Sequence, residues 1–268
     1  MNIWNMLIID PMLNSLLWIY GILGNFGIAI IVFTILVRLI THPLTVKQLK
    51  STSKMQEFQQ SKEWQALQKK HKDNKQQLQQ EQMKLYQEMG INPFSSCLPT
   101  LVQFPIIIGL YQSIMRALAA APIPMENLYQ NLYSITNVSK LLPVDNTFLW
   151  MNLGQPERLY IFGLSFGIPV LAILVLITTY VQSKLMTPVS QPGEQGAQMT
   201  QAMNLYMPLF MGYLALTFAS GLALYFITSN LVTIGQYAVM GKLNWNNLLP
   251  AAMKRSGPRE SKGKVNRQ

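Results

Sequence analysis

A single arginine, Arg38, lies inside a long apolar stretch of this chain. The residues from Pro11 to Val37 carry no charge, and the next charged residue after Arg38 is Lys47. A helix separates the two by about 13 Å. If Lys47 marks the edge of a bilayer, Arg38 lies within the hydrocarbon, where a charge costs about 2.5–3.5 kcal/mol near the centre. Snorkelling towards the edge is one interpretation, but the position favours an arginine that faces water or a polar partner.

Polar side chains accompany Arg38 in the apolar stretches, mainly in the halves nearer the lysine-rich segments. Each of them could form an ordinary interhelical hydrogen bond. Together they predict a hydrated groove that opens to the lysine-rich side and ends partway across the membrane. The predicted groove residues are Arg38, Thr34, Gln103, Thr178, Gln182, Ser229, Asn230 and Thr233.

Few residues are of a type that supports catalysis or binds a cofactor. The one cysteine is Cys97, and the two histidines are His42 and His71. These numbers exclude a disulfide framework and a multi-cysteine metal site. The chain has no G-x-x-x-x-G-K-[ST] motif for nucleotide phosphates and no H-E-x-x-H motif. We therefore expect no cofactor, no metal and no enzymatic activity.

The composition indicates a membrane protein. Half of the 268 residues are hydrophobic and only 12% are charged, yet the formal net charge is +10. Average soluble domains have about 25% charged residues. An apolar chain whose remaining charges are basic and clustered is typical of a membrane protein with basic cytoplasmic segments.

The uncharged stretches predict an all-α membrane protein with five transmembrane helices and a cytoplasmic helical hairpin. A span needs about 20 apolar residues. The turn signal at Ser220-Gly221 divides the longest stretch into two. The predicted segments are an external interfacial helix at 1–23, spans at 24–46, 93–118, 158–184, 203–219 and 220–241, a hairpin at 47–92, an external loop at 119–157, a cytoplasmic loop at 185–202 and a basic tail at 242–268.

The start of the first span is ambiguous. More apolar sequence precedes Lys47 than one helix needs, and Gly21, Gly24 and Gly27 interrupt it. We interpret the first part as a helix on the membrane surface, with the span beginning near residue 24. A single span at 16–37 is the alternative.

Basic residues predict the orientation of the chain. Nine lysines lie between Lys47 and Lys84, and seven basic residues lie between Lys242 and Arg267. The positive-inside rule then places the N-terminus outside and the C-terminus in the cytoplasm. The hairpin is either a plain solvated pair of helices or a basic arm that contacts lipid headgroups or a partner. The tail is expected to be disordered, and its charge either fixes the orientation or attracts anionic lipid or RNA.

Several motifs resemble those of the YidC-type membrane protein insertases, a bacterial family with mitochondrial and thylakoid relatives. They occur in the order and spacing that the family shows, over roughly residues 8–242. The matching stretches are IIVFTILVRLI (30–40), PLTVKQ (43–48), KLY (84–86), GINP (90–93), CLP (97–99), QFPI (103–106), MP (207–208) and SGLALYFITSNL (220–231).

The resemblance implies a five-helix core in the bacterial plasma membrane, with an inward-open groove that carries Arg38. The groove receives the hydrophilic part of a nascent membrane protein, and the apolar span of this client leaves into the lipid bilayer beside the second and fifth spans. No nucleotide is hydrolysed. The residues expected to contact the client's span are Phe104, Pro105, Tyr225 and Phe226.

The resemblance also implies partners. Besides nascent membrane proteins, the partners are the ribosome through the basic tail, the Sec translocon and a targeting receptor, and the protein is expected to act as a monomer. The large outer domain and lipoprotein-type signal of some relatives are expected to be absent.

Three other functions are alternatives to an insertase. A transporter or channel would need carboxylates or polar groups in both membrane halves, and an intramembrane hydrolase would need an aspartate pair. A passive assembly scaffold stays open.

Overall fold

The computed structural model describes residues 3–59, 61–71, 74–88, 90, 98–118, 143–160, 167–186, 195–243 and 245. This part of the chain is mostly helical. A π-helical segment at Asn5–Ile9 runs directly into the first α-helix. The α-helices are α1 (Asp10–Leu23), α2 (Phe26–Ile40), α3 (His42–Gln59), α4 (Lys62–Lys70), α5 (Lys75–Glu88), α6 (Leu98–Ala117), α7 (Val170–Met186), α8 (Gln195–Thr217) and α9 (Ser220–Val239).

Some sequence predictions concern residues outside these ranges. They include the GINP and CLP motifs except for Gly90, Leu98 and Pro99, the part of the outer loop at 119–142, and the basic tail beyond residue 245.

Two described helices are long and apolar enough to cross a membrane, namely Asn5–Leu23 and Ser220–Val239. A third is added if Phe26–Ile40 and His42–Ser51, which meet at a bend of 51°, form one broken span. The structure therefore supports a helical membrane protein. The number of five spans and the surface position of the first helix stay predictions.

The core forms where α2 and α9 pack together, with α1 and α6 on one side and α7 on the other. On α1, four buried residues repeat at the spacing of one helical face, whereas Trp18 and Ile22 are exposed. The buried residues of this face are Leu13, Leu16, Leu17 and Tyr20.

The boundary between α1 and α2 follows from two residues. Gly24 has φ +67°, a conformation that suits glycine, and its N–H donates to the Tyr20 carbonyl at 2.8 Å. Asn25 then caps α2, because its side-chain oxygen accepts from the Ile28 N–H at 3.1 Å. These two contacts separate α1 from α2 at the place where the sequence placed the start of the first span.

Pro43 explains why the first predicted span, 24–46, does not continue as one straight helix. Proline has no N–H, so it cannot donate to the carbonyl of Leu39. The chain bends by 51° between α2 and α3. At the end of α2 the Thr41 backbone N–H and the Thr41 hydroxyl both donate to the Val37 carbonyl, at 2.9 and 2.8 Å.

The helices of the third and fourth predicted spans, α7 and α8, do not begin where the sequence predicts. The α7 helix begins at Val170 instead of 158, because Leu159 and Ile168 pair as a β-bridge and Pro169 lies directly before the first helical residue. A lack of charge does not distinguish an extended segment from a helix. The α8 helix begins at Gln195 instead of 203, because its glutamine-rich first turns are good helix formers although they are polar.

Residues 143–157, which we call the capping segment, cover the first turn of α9. They contain two short antiparallel strands, β1 (Thr147–Phe148) and β2 (Met151–Asn152). The first N–H groups of a helix lack partners within the helix. Here the carbonyl of Gln155 accepts from the Ser220 N–H at 2.8 Å, and the carbonyl of Leu153 accepts from the Gly221 N–H at 3.0 Å.

Glu157 joins the capping segment to α7. Its carboxylate accepts from the Trp150 indole N–H at 2.9 Å and from the Leu171 backbone N–H at 3.0 Å. Glu157 is only 7% exposed. A buried carboxylate is stable here because it has two donors and lies at the positive end of a helix dipole.

The helices α4 and α5 pack against each other in the lysine-rich region. Three aromatic residues and a leucine form a small buried cluster there, separate from the main core: Phe58, Trp64, Leu78 and Tyr86. The Phe58 ring lies 4.8 Å from the Tyr86 ring and 5.6 Å from the Trp64 ring, measured between centroids. This small cluster gives the lysine-rich region a thin apolar contact.

Gly27 allows the capping segment to pack on α2. A Cβ atom at Gly27 would lie 2.3 Å from two atoms of the Phe148 ring. We expect Gly27→Ala to lower the free energy of unfolding by about 1–3 kcal/mol, as overpacking does. The measurement is thermal unfolding in lipid nanodiscs.

Gly235→Ala is the matched control. A Cβ at this position in α9 would meet no heavy atom of the described residues within 4 Å. Alanine in a helix interior is favoured over glycine by about 0.5–1 kcal/mol, so the midpoint should stay the same or rise. Equal effects of the two substitutions would contradict the packing of Phe148 on Gly27.

Candidate functional site

Arg38 lies in the last turn of α2, and its side chain reaches α9. The Arg38 Nε donates to the Ser229 hydroxyl at 2.8 Å, and Nη2 donates to the same oxygen. Ser229 is 2% exposed. Within the part of the chain that the structure describes, the ion pairs are Lys84–Glu81 and Arg116–Asp10. Arg38 therefore has a hydroxyl as its partner there and no carboxylate.

The contact of Arg38 continues through α9 to α6. Ser229 and Tyr225 are four residues apart and so lie on one face of α9. The Ser229 side chain interacts with the Tyr225 phenol, and the Gln103 amide nitrogen donates to the phenol oxygen. Polar groups of three helices are thus linked in one row, from α2 across α9 to α6.

A second polar contact links α7 to α9. The Asn230 amide nitrogen donates to the Thr178 hydroxyl at 3.1 Å and to the Thr179 hydroxyl at 2.9 Å. The sequence analysis placed Thr178 and Asn230 in the groove but left out Thr179. Its position next to Thr178 in an otherwise apolar helix is the signal that could have included it.

Thr34 and Thr233 are buried, at 0% and 4% exposure, and bond within their own helices. The Thr34 hydroxyl donates to the Ile30 carbonyl at 2.6 Å, and the Thr233 hydroxyl donates to the Ser229 carbonyl at 2.7 Å. This pattern is common for threonine in a helix. Both hydroxyl protons are therefore engaged, and only the acceptor sites of these oxygens are left for water or a client.

Two glutamines have a buried amide oxygen without a donor among the described residues, Gln182 on α7 and Gln236 on α9. The Gln236 amide nitrogen donates to the Arg38 carbonyl at 2.9 Å. Gln236 is one of the polar side chains, in the half of its apolar stretch nearer the lysine-rich segments, from which the sequence analysis predicts the groove, although it is not in the list of groove residues itself. Ser229, Thr233 and Gln236 follow the i, i+4, i+7 pattern of one helical face.

The four residues predicted to contact a client's apolar span differ in exposure. Phe104 on α6 is 50% exposed, and Pro105 beside it is partly buried. Tyr225 and Phe226 on α9 are only 2% and 6% exposed. In this structure Phe104 alone of the four offers a large exposed side chain, and a client can reach the other aromatic residues only if the helices around α9 separate.

The described residues contain no group of three or more His, Cys, Asp or Glu side chains that could hold a metal ion. The arrangement can instead donate hydrogen bonds and present one positive charge inside an apolar bundle. Such a site binds and orients a polar or anionic group and has no nucleophile paired with a base.

A family model described as the 60Kd inner membrane protein matches residues 18–247. Membrane protein insertase YidC 2 of Listeria innocua is 38% identical over 239 residues, which cover 87% of this chain and 70% of that protein. Membrane protein insertase MisCA of Bacillus subtilis is 34% identical over 241 residues, which cover 88% of this chain and 78% of that protein.

A solved structure is similar to the whole arrangement. It is a crystal structure of an active YidC insertase with the first transmembrane domain resolved, and it matches with a TM-score of 0.58 and 25% identity. The match covers 88% of this chain and 46% of the crystallised one. This chain therefore spans just under half of the length of that protein.

The bonds of Asn230 to α7 give a stability prediction. We expect Asn230→Ala to lower the free energy of unfolding by about 0.6–1.7 kcal/mol, the range for interhelical hydrogen bonds in membranes. Leu231→Ala is the control, because Leu231 is the neighbouring residue and is 55% exposed. Unfolding in nanodiscs measures both. A larger loss for Leu231→Ala than for Asn230→Ala would contradict the role of this contact.

Proposed function

The chain belongs to the 60Kd inner membrane protein family, and from this membership we propose that it is a membrane protein insertase and chaperone. Its clients are nascent membrane proteins. The hydrophilic part of a client enters a groove at Arg38 that is open to the cytoplasm, and the apolar span of the client then passes into the lipid. The observation that carries this proposal is the Arg38 guanidinium, which reaches into the helix bundle and has a serine as its partner.

The charge of Arg38 gives the site a preference for acidic client tails. Two unit charges attract each other more strongly inside a protein than in water, because the effective dielectric constant is lower. Among the described residues, no carboxylate forms an ion pair with Arg38. A client Asp or Glu can therefore form the charge-assisted hydrogen bonds that the guanidinium offers.

Polar groups of the groove shorten the apolar layer that a client tail must cross. A polar group without a partner in hydrocarbon costs several kcal/mol. Gln182 and Gln236 each present a buried amide oxygen that lacks a donor among the described residues. Water or the N–H groups of a client would satisfy these oxygens, which supports a hydrated groove.

Transfer of the client's apolar span into lipid drives the reaction. Burial yields about 0.8 kcal/mol per CH₂ group, so a span needs no added energy source once its polar tail has crossed. The absence of a phosphate-binding motif from the sequence agrees with insertion without nucleotide hydrolysis. On this proposal the protein catalyses no covalent reaction.

The proposed exit lies beside α6 and α9. Phe104 is exposed on α6 and gives an apolar surface for a client's span. Pro105, Tyr225 and Phe226 join this path when the bundle opens. We further propose a bacterial plasma membrane location with the C-terminus in the cytoplasm, action as a monomer, and contacts with the ribosome, the Sec translocon and a targeting receptor.

Insertion by Arg38 variants tests the proposal. The purified protein in liposomes receives a single-spanning client with a short acidic tail during its synthesis, and protease protection of the tail is scored. We expect protection with wild type and Arg38→Lys and a loss of about tenfold with Arg38→Ala, which corresponds to about 1.4 kcal/mol.

A client with asparagines in place of its tail carboxylates is the matched control, and its insertion should depend little on Arg38. Protection by wild type no greater than in empty liposomes would contradict autonomous insertion and favour a passive scaffold. Equal insertion of the acidic client by wild type and Arg38→Ala would contradict the role of the charge.

Thiol labelling tests whether the groove opens to the cytoplasm. In a background without the native cysteine, Cys97→Ser, we expect Thr233→Cys to react with a charged, membrane-impermeant thiol reagent added from the cytoplasmic side. Water is needed to form the reactive thiolate. Ser113→Cys is the control, because Ser113 is 0% exposed in the predicted outer half. Labelling of both cysteines from the cytoplasmic side would contradict a groove that ends partway.

A further inference from the structure

Gln236 forms a hydrogen bond with the main chain of Arg38, whereas Ser229 forms hydrogen bonds with the Arg38 guanidinium. It lies near the end of α9 and is 9% exposed. Its amide nitrogen is 2.9 Å from the Arg38 carbonyl oxygen. The last carbonyls of a helix lack donors within the helix, and Pro43 removes one further N–H just beyond α2. The Thr41 hydroxyl also donates to the Arg38 carbonyl, at 3.3 Å. Gln236 supplies the shorter of the two hydrogen bonds, and it does so from a neighbouring helix.

The orientation of the Gln236 amide follows from this contact. If the amide were turned over, its oxygen would face the Arg38 carbonyl oxygen, so Nε2 must be the atom that points there. The amide oxygen is then buried without a donor from the described residues. A buried acceptor without a donor lowers the stability of the fold. A methionine would fill the same space without that loss, so packing alone does not explain a glutamine here.

The α9 helix holds Arg38 at two points. Ser229 contacts the side chain, and Gln236, seven residues further on, contacts the main chain. The two contacts lie on one face of α9, about 10 Å apart along its axis. The chain bends by 51° directly after α2, and the carbonyl contact is at the beginning of that bend. Without it, the Arg38 carbonyl keeps the 3.3 Å bond from the Thr41 hydroxyl within its own chain segment, but the backbone of Arg38 loses its hydrogen bond to α9.

We propose that Gln236 is a positioning residue that fixes the backbone of Arg38 and so directs its guanidinium towards the acidic part of a client. This inference rests on the proposed insertase function. It assigns the preference for acidic clients to a pair of residues on two helices, Arg38 and Gln236, rather than to the arginine alone.

A double-mutant cycle tests this proposal. Two clients that differ only in aspartate or asparagine in the tail are inserted into liposomes, and the ratio of their protected fractions is measured. We expect Gln236→Met to lower this acidic-to-neutral ratio about five- to tenfold, close to the effect of Arg38→Ala. In the Arg38→Ala background, Gln236→Met should change the ratio no further, because residues that act through one another are not additive.

Gln236→Asn separates positioning from hydration. It keeps both polar atoms of the amide but is one methylene shorter, so it cannot reach the Arg38 carbonyl. We expect it to lower the ratio as Gln236→Met does. A ratio equal to that of wild type would overturn the proposal, because an amide that only hydrates the groove would still be present.

Gln112→Met is the matched control for the substitution itself. Gln112 on α6 accepts from the Trp4 indole N–H at 3.1 Å, so this variant also loses an interhelical bond. Its ratio should equal that of wild type even if less protein folds. Additive effects of Arg38→Ala and Gln236→Met would overturn the inference and leave the insertase proposal standing. An unchanged ratio in Arg38→Ala would instead overturn the proposed use of the charge, on which the inference rests.

Discussion

The bond between Arg38 and Ser229 is the interaction on which the rest of the bundle depends. A guanidinium inside an apolar bundle must have polar partners, since an isolated charge there is too costly. Ser229 provides one oxygen, and its own position depends on α9 lying directly against α2. The polar row from Gln103 through Tyr225 to Ser229 then extends the same requirement to α6.

Polar groups also need partners at the end of the bundle where α7 and α9 begin, and there the capping segment provides them. The N-terminal N–H groups of α7 and α9 would be left without partners, and the capping segment supplies carbonyl and carboxylate oxygens for them. These bonds are made by main-chain atoms and by the buried Glu157, so the first N–H groups of α7 and α9 that they reach are paired. On α7 and α9, the buried side-chain atoms without a hydrogen-bond partner among the described residues are the amide oxygens of Gln182 and Gln236.

The sequence predicted the helical class and the break at Ser220-Gly221, where α8 ends at Thr217 and α9 begins at Ser220, because charge, hydrophobicity and turn residues act locally. It placed Ser229, Asn230 and Gln103 in the groove set, and these residues do make contacts between helices. It did not predict the late start of α7, since the residues around Pro169 are apolar whether they are extended or helical. It also did not predict the bend after α2, although Pro43 is a local signal for one. The contact of Gln236 with the Arg38 carbonyl was not predicted either, because it depends on how α9 packs against α2.

An incompletely paired charge is a disadvantage for a protein whose only task is to be stable. Replacing a buried polar group by an apolar one of the same shape is often neutral or stabilising, so Leu or Met at position 38 would pack at least as well against α9. An arginine held by one hydroxyl and one backbone contact keeps most of its five donors for other groups. On the proposed function, the free energy lost in the resting state is recovered when an acidic group of a client binds. The client is then released because its apolar span is more stable in lipid than beside a charge. Tight binding of the client's hydrophilic tail would oppose that release. A single charge, held in place by α9, would bind the tail strongly enough to recruit it and weakly enough to let the client leave.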